Sequence, residues 1–253
     1  MQSFKTFLRE ETEAEGAKLK HITHAEDRPL QKGSEGFQHA VGALQQAHEH
    51  IKSGGHSTHL TMKYDGSPSI VFGHHPKTGK FFVATKSAFN KNPKINHTEA
   101  DIDRNHGHAP GLAKTLKHAL KHLPKVTPET GVYQGDLMFT HGDLKTENIE
   151  GQKYITFHPN TIVYAVPFDS DLGKKIRTAK IGVVWHTTYT GNSFETMTAS
   201  FGKGIVQHMK QIPSVWMDDA NYKDYSGTAT FTEQETVRVT EVLARAGTLF
   251  NSI

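Results

Sequence analysis

Apolar residues follow two different spacings along the chain. Between Ser34 and Ile51 they recur every three or four residues, which is the spacing of one face of a helix. These positions are Phe37, Val41, Leu44, Ala47 and Ile51. Ser34 is a residue type that caps helix N-termini, and Ser53-Gly54-Gly55 ends the pattern. The segment therefore predicts a helix that begins after Ser34.

From His59 onward the apolar residues form short β-rich runs, which are typical of strands. The runs are HLTMKYDG, SIVFG, FFVATKS, GVYQGDLMFT, KYITFHP, NTIVYAVP and KIGVVWHTTY. Helical spacing returns from Gly111 to Leu123 and again after Thr232, which forms a capping box with Glu235. This order of elements favours an α+β fold of twisted antiparallel sheets with flanking helices.

The first 33 residues differ in character from the rest. The piece SFKTFLREE is short and amphipathic, and a charged stretch without an apolar period follows it. No internal repeat, low-complexity tract or clear linker divides the remaining residues. We therefore expect residues 1–33 to be a peripheral lead-in segment and residues 34–253 to form one domain.

The composition of the chain excludes several classes of protein and of binding site. The chain has 253 residues, of which 35% are hydrophobic, and this is enough to build a core. The longest apolar runs are far shorter than the roughly 20 residues that cross a bilayer, so we expect no membrane partner. The absence of cysteine excludes disulfides and thiolate metal sites and suits the cytoplasm. A net charge of +3 permits a polyanionic partner without specifying one.

One stretch, KYDGSPSIVFG, places charged residues between two predicted strands. The simplest prediction is a hairpin of LTMKY and SIVFG with a tight turn at Asp65-Gly66, which sets Lys63 at a strand end. A lysine amine is a nucleophile only when it is deprotonated, so a reactive lysine needs desolvation or nearby positive charge. The alternative interpretation is an ordinary hairpin with an exposed lysine.

The K-x-D-G pattern resembles motif I of the covalent nucleotidyltransferases: the ATP-dependent DNA ligases, RNA ligases and mRNA capping enzymes. Three later stretches resemble further motifs of that superfamily, in the same order. They are TKSAF with Lys86, YQGDLMF with Asp136, and VYAVPFD with Tyr164 and Phe168. The chain is also similar to an uncharacterised group of tailed-phage proteins that carry the ligase-type motif. The resemblance covers roughly residues 55–195 and implies a ligase-type nucleotidyltransferase (ATP-grasp-like) domain.

The resemblance implies the following chemistry. Lys63 attacks the α-phosphate of ATP and forms a lysyl-AMP intermediate, with Mg2+ neutralising phosphate charge. Asp65 orients Lys63 or the metal, and Asp136 accepts from a ribose hydroxyl or binds the metal. These two carboxylates are the expected metal ligands, and Lys63 and Asp65 are the expected catalytic residues.

The same resemblance assigns the rest of the nucleotide site and the partner. Lys86 contacts phosphate or ribose, and Tyr164 or Phe168 stacks on adenine. The AMP then passes to a nucleic-acid 5′-phosphate, and a 3′-hydroxyl displaces it to seal DNA or RNA ends. For a bacteriophage protein, the location is the host cytoplasm.

Two motifs of the superfamily are not found in this chain. Where an E-G-x-V strand is expected, Ile181-Gly182-Val183-Val184 lacks the glutamate, and Glu235-Thr236-Val237 belongs to a capped helix. A terminal K-x-K motif is also missing. The motifs have diverged, the chain is a fragment, or it no longer catalyses the complete reaction.

Two other functions remain open on the sequence. HGDLKTENI matches the catalytic loop of kinases, with Asp143 as base, Asn148 as metal ligand and His141 beside them, and Asp171-Leu172-Gly173 follows. The interval from Asn148 to Asp171 is longer than is usual, and no glycine-rich loop precedes Lys63. The third interpretation is a catalytically inactive phage virion or nucleic-acid-binding protein.

Histidines and lysines cluster in one predicted helix. His118 and His122 are four residues apart, and His106 and His108 precede the helix, a spacing able to chelate zinc. Surface histidines are the more economical interpretation. The lysine stripe of that helix, which is able to follow a phosphate backbone or to form a solvated face, is Lys114, Lys117, Lys121 and Lys125.

Overall fold

A computed structural model describes residues 25–52, 61–202, 204–224 and 231–250. These residues form two compact units. The first contains the described residues of Met1–Met62 and Lys223–Ile253, and the second contains those of Lys63–Tyr222. The predicted amphipathic piece SFKTFLREE and the predicted helix end at Ser53-Gly54-Gly55 lie outside the described residues.

The first unit contains two helices, which are α1 (Arg28–Lys52) and α5 (Glu233–Phe250) in our chain-order numbering. α1 breaks at Gly33, whose φ of 57° lies in the left-handed region that glycine tolerates best. The domain boundary predicted after residue 33 coincides with this break. It stays a prediction, because residues 1–24 lie outside the described part of the chain.

Both predicted helices are present, but α1 begins at Arg28, before the predicted start after Ser34. The ring of Phe37 stacks on that of Phe250, with centroids 4.2 Å apart. The capping box is present: the Thr232 N–H donates to the Glu235 carboxylate at 2.8 Å, and the Glu235 N–H donates to the Thr232 hydroxyl at 3.2 Å.

The second unit is built on a six-stranded mixed sheet. The strands are β2 (Ser69–His74), β3 (Phe81–Ala84), β4 (Val132–Thr140), β8 (Ile181–Thr190), β9 (Thr198–Phe201) and β10 (Val215–Asp219). Five lie in the order β10-β8-β4-β2-β3, and β9 pairs with β8 outside this order. β10 runs parallel to β8, and the other pairs are antiparallel. The parallel pair corrects the all-antiparallel prediction: the long connection after β8 gives the crossover that such a pair needs.

The predicted hairpin around Asp65-Gly66 is wrong. The first strand of the predicted hairpin, β1 (Thr61–Lys63), does not pair with β2. It pairs instead with β11 (Asn221–Asp224). After β1, the Tyr64 N–H donates to the Ala220 carbonyl at 2.8 Å, and the Ser67 N–H donates to the Leu137 carbonyl at 2.9 Å. These bonds hold the segment as an extended crossing rather than a tight turn.

The remaining elements of the second unit flank this sheet. They are α2 (Glu99–His106), α3 (Pro110–His122), α4 (Asp171–Thr178) and a three-stranded sheet of β5 (Lys145–Ile149), β6 (Gln152–Phe157) and β7 (Tyr164–Pro167). α3 lies within one residue of the range predicted from Gly111 to Leu123. The short helices α2 and α4 were not predicted, because eight residues give too few apolar repeats.

The two faces of the central sheet pack into separate hydrophobic cores, since side chains alternate along a strand. Val183 and Trp185 of β8 join Leu116 of α3 in the first core. Val184, between them, joins Ile176 of α4 in the second core. Helices thus flank the sheet as predicted, and the α+β class is confirmed. Within the described residues, no helix is long and apolar enough to span a bilayer.

Candidate functional site

Asp136 is the centre of the candidate site. It lies in β4, a strand with neighbours on both sides, and only 7% of its surface is exposed. β2 places Ser69 directly opposite it. Gln134 donates to the Ser69 hydroxyl at 2.7 Å and accepts from the Tyr189 hydroxyl. A network of polar side chains therefore lies beside this carboxylate.

Lys63 reaches Asp136 from the end of β1. Its Nζ atom lies 3.6 Å from Oδ2 of Asp136, and about half of the lysine side chain (53%) is exposed. The backbone bond from Tyr64 to Ala220 anchors the chain directly after Lys63. Lys63 and Asp136 are thus neighbours, with the amine open to solvent.

His186 completes the surroundings of Asp136, and sequence reasoning missed it. Its Nε2 atom lies 3.3 Å from Oδ1 of Asp136, and its Nδ1 atom lies 2.6 Å from the Thr187 hydroxyl. β8 carries His186 and pairs with β4 through an irregularity between Gln134 and Gly135. The sequence signal for His186 is the strand KIGVVWHTTY that carries it, and no short motif includes the histidine.

Asp136 is held as a carboxylate by its contacts with His186 and Lys63. Burial by itself raises the pKa of Asp136, but the hydrogen bond and charge of His186, together with Lys63, lower the pKa below its ordinary value. The site therefore presents a buried negative charge beside an exposed amine, an arrangement able to position an amine or a metal ion.

Lys86 belongs to the same electrostatic neighbourhood. It opens a 3-10 helix at Lys86–Phe89 that begins after Thr85, whose hydroxyl accepts from the Ser87 N–H at 3.2 Å. Burial lowers the pKa of Lys86 below its ordinary value, and the charge of Asp136 opposes that shift. A lysine with a lowered pKa is also a rival nucleophile, so its role needs a direct test.

Gly66 is needed because the segment after Lys63 lies directly on Asp136. A Cβ atom at Gly66 would lie 2.7 Å from Cβ of Asp136 and 2.9 Å from the Leu137 carbonyl oxygen. Real Cβ atoms do not approach other atoms so closely. The glycine of K-x-D-G therefore permits the close approach that brings Lys63 to its carboxylate.

Asp65 is engaged by a different part of the chain. Its carboxylate accepts from Asn160 Nδ2 at 2.9 Å, from the Thr161 N–H at 3.1 Å and from the Thr161 hydroxyl at 2.6 Å. The Thr161 hydroxyl, together with Asn160, holds the pKa of Asp65 below its ordinary value against partial burial. Asp65 thus connects the loop before β7 to the segment after Lys63 by hydrogen bonds. Catalysis and metal binding by Asp65 stay predictions.

The two predicted aromatic residues have different surroundings. The Tyr164 hydroxyl accepts from the Asp65 N–H at 2.7 Å, and its ring stacks on Phe157 with centroids 5.3 Å apart. Phe168 lies against two cations: Nζ of Lys153 and Cζ of Arg177 are each 3.9 Å from its ring centroid. Tyr164, rather than Phe168, is therefore hydrogen-bonded to the segment that follows Lys63.

His141 and Asp143, two of the three kinase-like residues, lie in a turn after β4. Asp143 accepts from the Thr140 N–H and hydroxyl, both at 2.7 Å, and so caps a 3-10 helix at His141–Asp143. Asn148 lies in the exposed strand β5. The segment before the motif is the strand β4, where the kinase interpretation needs a helix, and this counts against that interpretation.

Two histidines of α2 and α3 are buried, and one lysine of the predicted stripe forms an ion pair. Among the described residues, no group of three or more His, Asp or Glu side chains is arranged to hold a metal ion, so the zinc interpretation gains no support. His106 and His122 are buried rather than exposed. Lys117 bonds to Asp103 at 2.8 Å, which neutralises one member of the predicted basic stripe.

Comparison with curated proteins and with solved structures gave no match. Residues 19–253 match the model of a family of unknown function, DUF6267, and this range includes every residue of the candidate site. The chain belongs to the DUF6267 family.

Proposed function

We propose that this protein is an ATP-dependent nucleotidyltransferase of the polynucleotide-ligase type, with Lys63 as its covalent nucleophile. The observation that carries the proposal is the 3.6 Å distance between Lys63 Nζ and Asp136 Oδ2, which joins the K-x-D-G lysine to a buried carboxylate. Gly66 supports it, because the close approach of its segment to Asp136 excludes a side chain there. An exposed structural lysine would need neither feature.

The proposed first step transfers AMP to the lysine. The deprotonated Nζ of Lys63 forms a bond to the α-phosphorus of ATP, and the bond from that phosphorus to the bridging oxygen breaks, so that pyrophosphate leaves with the bonding electrons. The proton lost from the ammonium group goes to solvent, which reaches the half-exposed side chain. Asp136 would orient the neutral amine, which still donates hydrogen bonds to a carboxylate.

Mg2+ fits one carboxylate of this site. Mg2+ sites in nucleotide enzymes commonly use one or two carboxylates together with the phosphates of the substrate. Asp136 is buried and held ionised, so it suits that role, whereas the Asp65 oxygens already accept three hydrogen bonds. The metal would supply charge neutralisation on the triphosphate.

The remaining contacts of the nucleotide follow from the neighbours of Asp136. Lys86 would contact phosphate or ribose, because it interacts electrostatically with Asp136. Tyr164 would contact adenine, since its hydroxyl is bonded to the residue two positions after Lys63. In the proposed second stage, AMP passes to a 5′-phosphate end of DNA or RNA, and a 3′-hydroxyl displaces it.

The proposal is tested by incubating the full chain with Mg2+ and ATP labelled at the α- or the γ-phosphate, followed by denaturing electrophoresis. We expect label from the α-phosphate alone to remain on the protein. Transfer of the γ-phosphate would instead support kinase chemistry. Absence of both labels would support a nucleic-acid-binding protein without catalysis.

A further inference from the structure

A second cationic site lies on the three-stranded sheet side of the second unit. Lys153 comes from β6 and Arg177 from α4, and both place their charge 3.9 Å from the ring centroid of Phe168. The two cationic groups are therefore less than about 8 Å apart, which is within one Debye length at physiological salt. Two separate elements thus converge on one ring with like charges.

The backbone fixes this convergence. The Phe168 N–H donates to the Lys153 carbonyl at 2.9 Å, which extends the β6–β7 pairing and keeps Phe168 beside Lys153. α4 is capped by Ser170, whose hydroxyl accepts from the Gly173 N–H at 3.0 Å, and Ile176 of α4 is buried. Arg177 follows Ile176 directly, so the packing of α4 determines where its side chain lies.

Neither cation has a carboxylate partner among the described residues. This differs from other lysines of the same unit: Lys174 bonds to Asp171 at 3.2 Å, and Lys117 bonds to Asp103. Within the described part of the chain, the Nε–H of Arg177 is buried and has no acceptor. The ring holds both cations, but the pair lacks a counter-charge.

We propose that Lys153 and Arg177, held on Phe168, bind the phosphate backbone of a single-stranded nucleic acid. Two cations that are close together repel each other, and a phosphate between or beside them relieves that repulsion. A guanidinium binds phosphate oxygens with paired N–H donors, and a lysine adds a mobile point charge. Positively charged grooves that follow the backbone are typical of single-strand binding surfaces.

The two cations come from separate elements, β6 and α4. A chain of phosphates is able to contact them in turn. The inference rests on the proposed function only in naming a polynucleotide as the source of the phosphates.

The test measures binding of a fluorescent single-stranded oligonucleotide, as DNA and as RNA, by anisotropy over a range of salt concentrations. The variant is Lys153→Gln with Arg177→Gln in the full chain. The matched control is Lys77→Gln with Lys80→Gln, which removes two exposed cations at the turn between β2 and β3. A third protein, Lys153→Arg with Arg177→Lys, keeps both charges.

We expect the Gln double variant to bind at least about tenfold more weakly at 0.1 M salt and to lower the salt slope by about 1.4, which corresponds to two phosphate contacts on a single strand. The control should stay within about twofold of the natural protein, and the charge-keeping variant should restore most of the binding. Circular dichroism and thermal unfolding establish that each variant is folded.

Three results would overturn the inference: no binding by the natural protein, equal losses in the variant and the control, or full competition by millimolar inorganic phosphate, which would indicate a simple anion site. Lysyl-AMP formation is measured on the same proteins. It should be unchanged in the Gln variant, so failure of this surface and failure of the proposed Lys63 chemistry are separately visible.

Discussion

Lys63 and Asp136 lie on separate strands, β1 and β4, yet Nζ of the lysine is 3.6 Å from Oδ2 of the aspartate. Asp136 also contacts His186 on its other oxygen, at 3.3 Å. The carboxylate therefore lies between an exposed amine and a partly buried imidazole. This relationship is the basis of the predictions that concern activity.

Replacing Asp136 with asparagine removes the charge and keeps the size of the side chain. We expect label transfer from ATP to the protein to fall at least about tenfold, because the amine loses the group that positions it. The rate of label incorporation at saturating ATP measures this effect. Retention of the natural rate would show that Asp136 is only a structural partner of Ser69 and His186.

Gly66→Ala tests whether the close approach of the K-x-D-G segment matters. The added Cβ would meet Asp136 Cβ at 2.7 Å, so we expect a loss of about 1–3 kcal/mol in the free energy of unfolding and a loss of label transfer. Gly142→Ala is the control, because its Cβ would meet no atom within 4 Å. Urea unfolding measures the free energy of unfolding of both variants. An equal loss in the two variants would contradict this account.

Asp143→Ala separates the nucleotidyltransferase from the kinase interpretation. Asp143 caps its own turn through Thr140, so we expect a stability loss of about 1 kcal/mol and unchanged transfer of AMP. The comparison variant is Lys63→Ala, which should abolish AMP transfer. Loss of phosphoryl chemistry in Asp143→Ala, with retention in Lys63→Ala, would establish the kinase interpretation instead.

The buried histidines of α2 and α3 predict a pH dependence of stability. Burial, helped by nearby lysines, lowers the pKa of His106 and of His122 below the ordinary value of about 6.5, and among the described residues neither His106 Nε2 nor His122 Nδ1 has a partner. The unfolded chain then binds more protons than the folded chain just below pH 6.5. Stability should therefore rise with pH up to about 6.5 and be lost on acidification.

Urea unfolding at several pH values between 5 and 8 measures how steeply the free energy of unfolding rises with pH. The double change His106→Leu and His122→Leu should flatten this slope, because the buried titrating groups are gone. His108→Leu is the control, since His108 is exposed. A slope that is the same in the double variant and the control would contradict the assignment to these histidines.

Local patterns predicted the strands that carry the site but not their partners. Apolar runs in the sequence predict the positions of four of these strands, which are β2, β3, β4 and β8. The pairing of β1 with β11 and the parallel pairing of β10 depend on contacts between distant parts of the chain, which no local pattern contains. The predicted hairpin failed for that reason.

The same distinction separates the site residues. Lys63 and Asp136 were found because each belongs to a short motif. His186 was not predicted, because it belongs to no short motif. Only the pairing of β4 with β8 brings its Nε2 atom to Asp136. The hydrogen bonds from Asn160 and Thr161 to Asp65 also join distant residues, and a motif gives no sign of them.

Mass mapping of the adenylated residue tests the central claim most directly. The natural protein, Lys63→Arg and Lys86→Arg are each incubated with ATP and Mg2+, digested and analysed for the mass of one AMP on a peptide. We predict the adduct on Lys63 in the natural protein and in Lys86→Arg, and none in Lys63→Arg, because a guanidinium stays protonated and has no available lone pair. An adduct on Lys86, or one that persists in Lys63→Arg, would contradict the account.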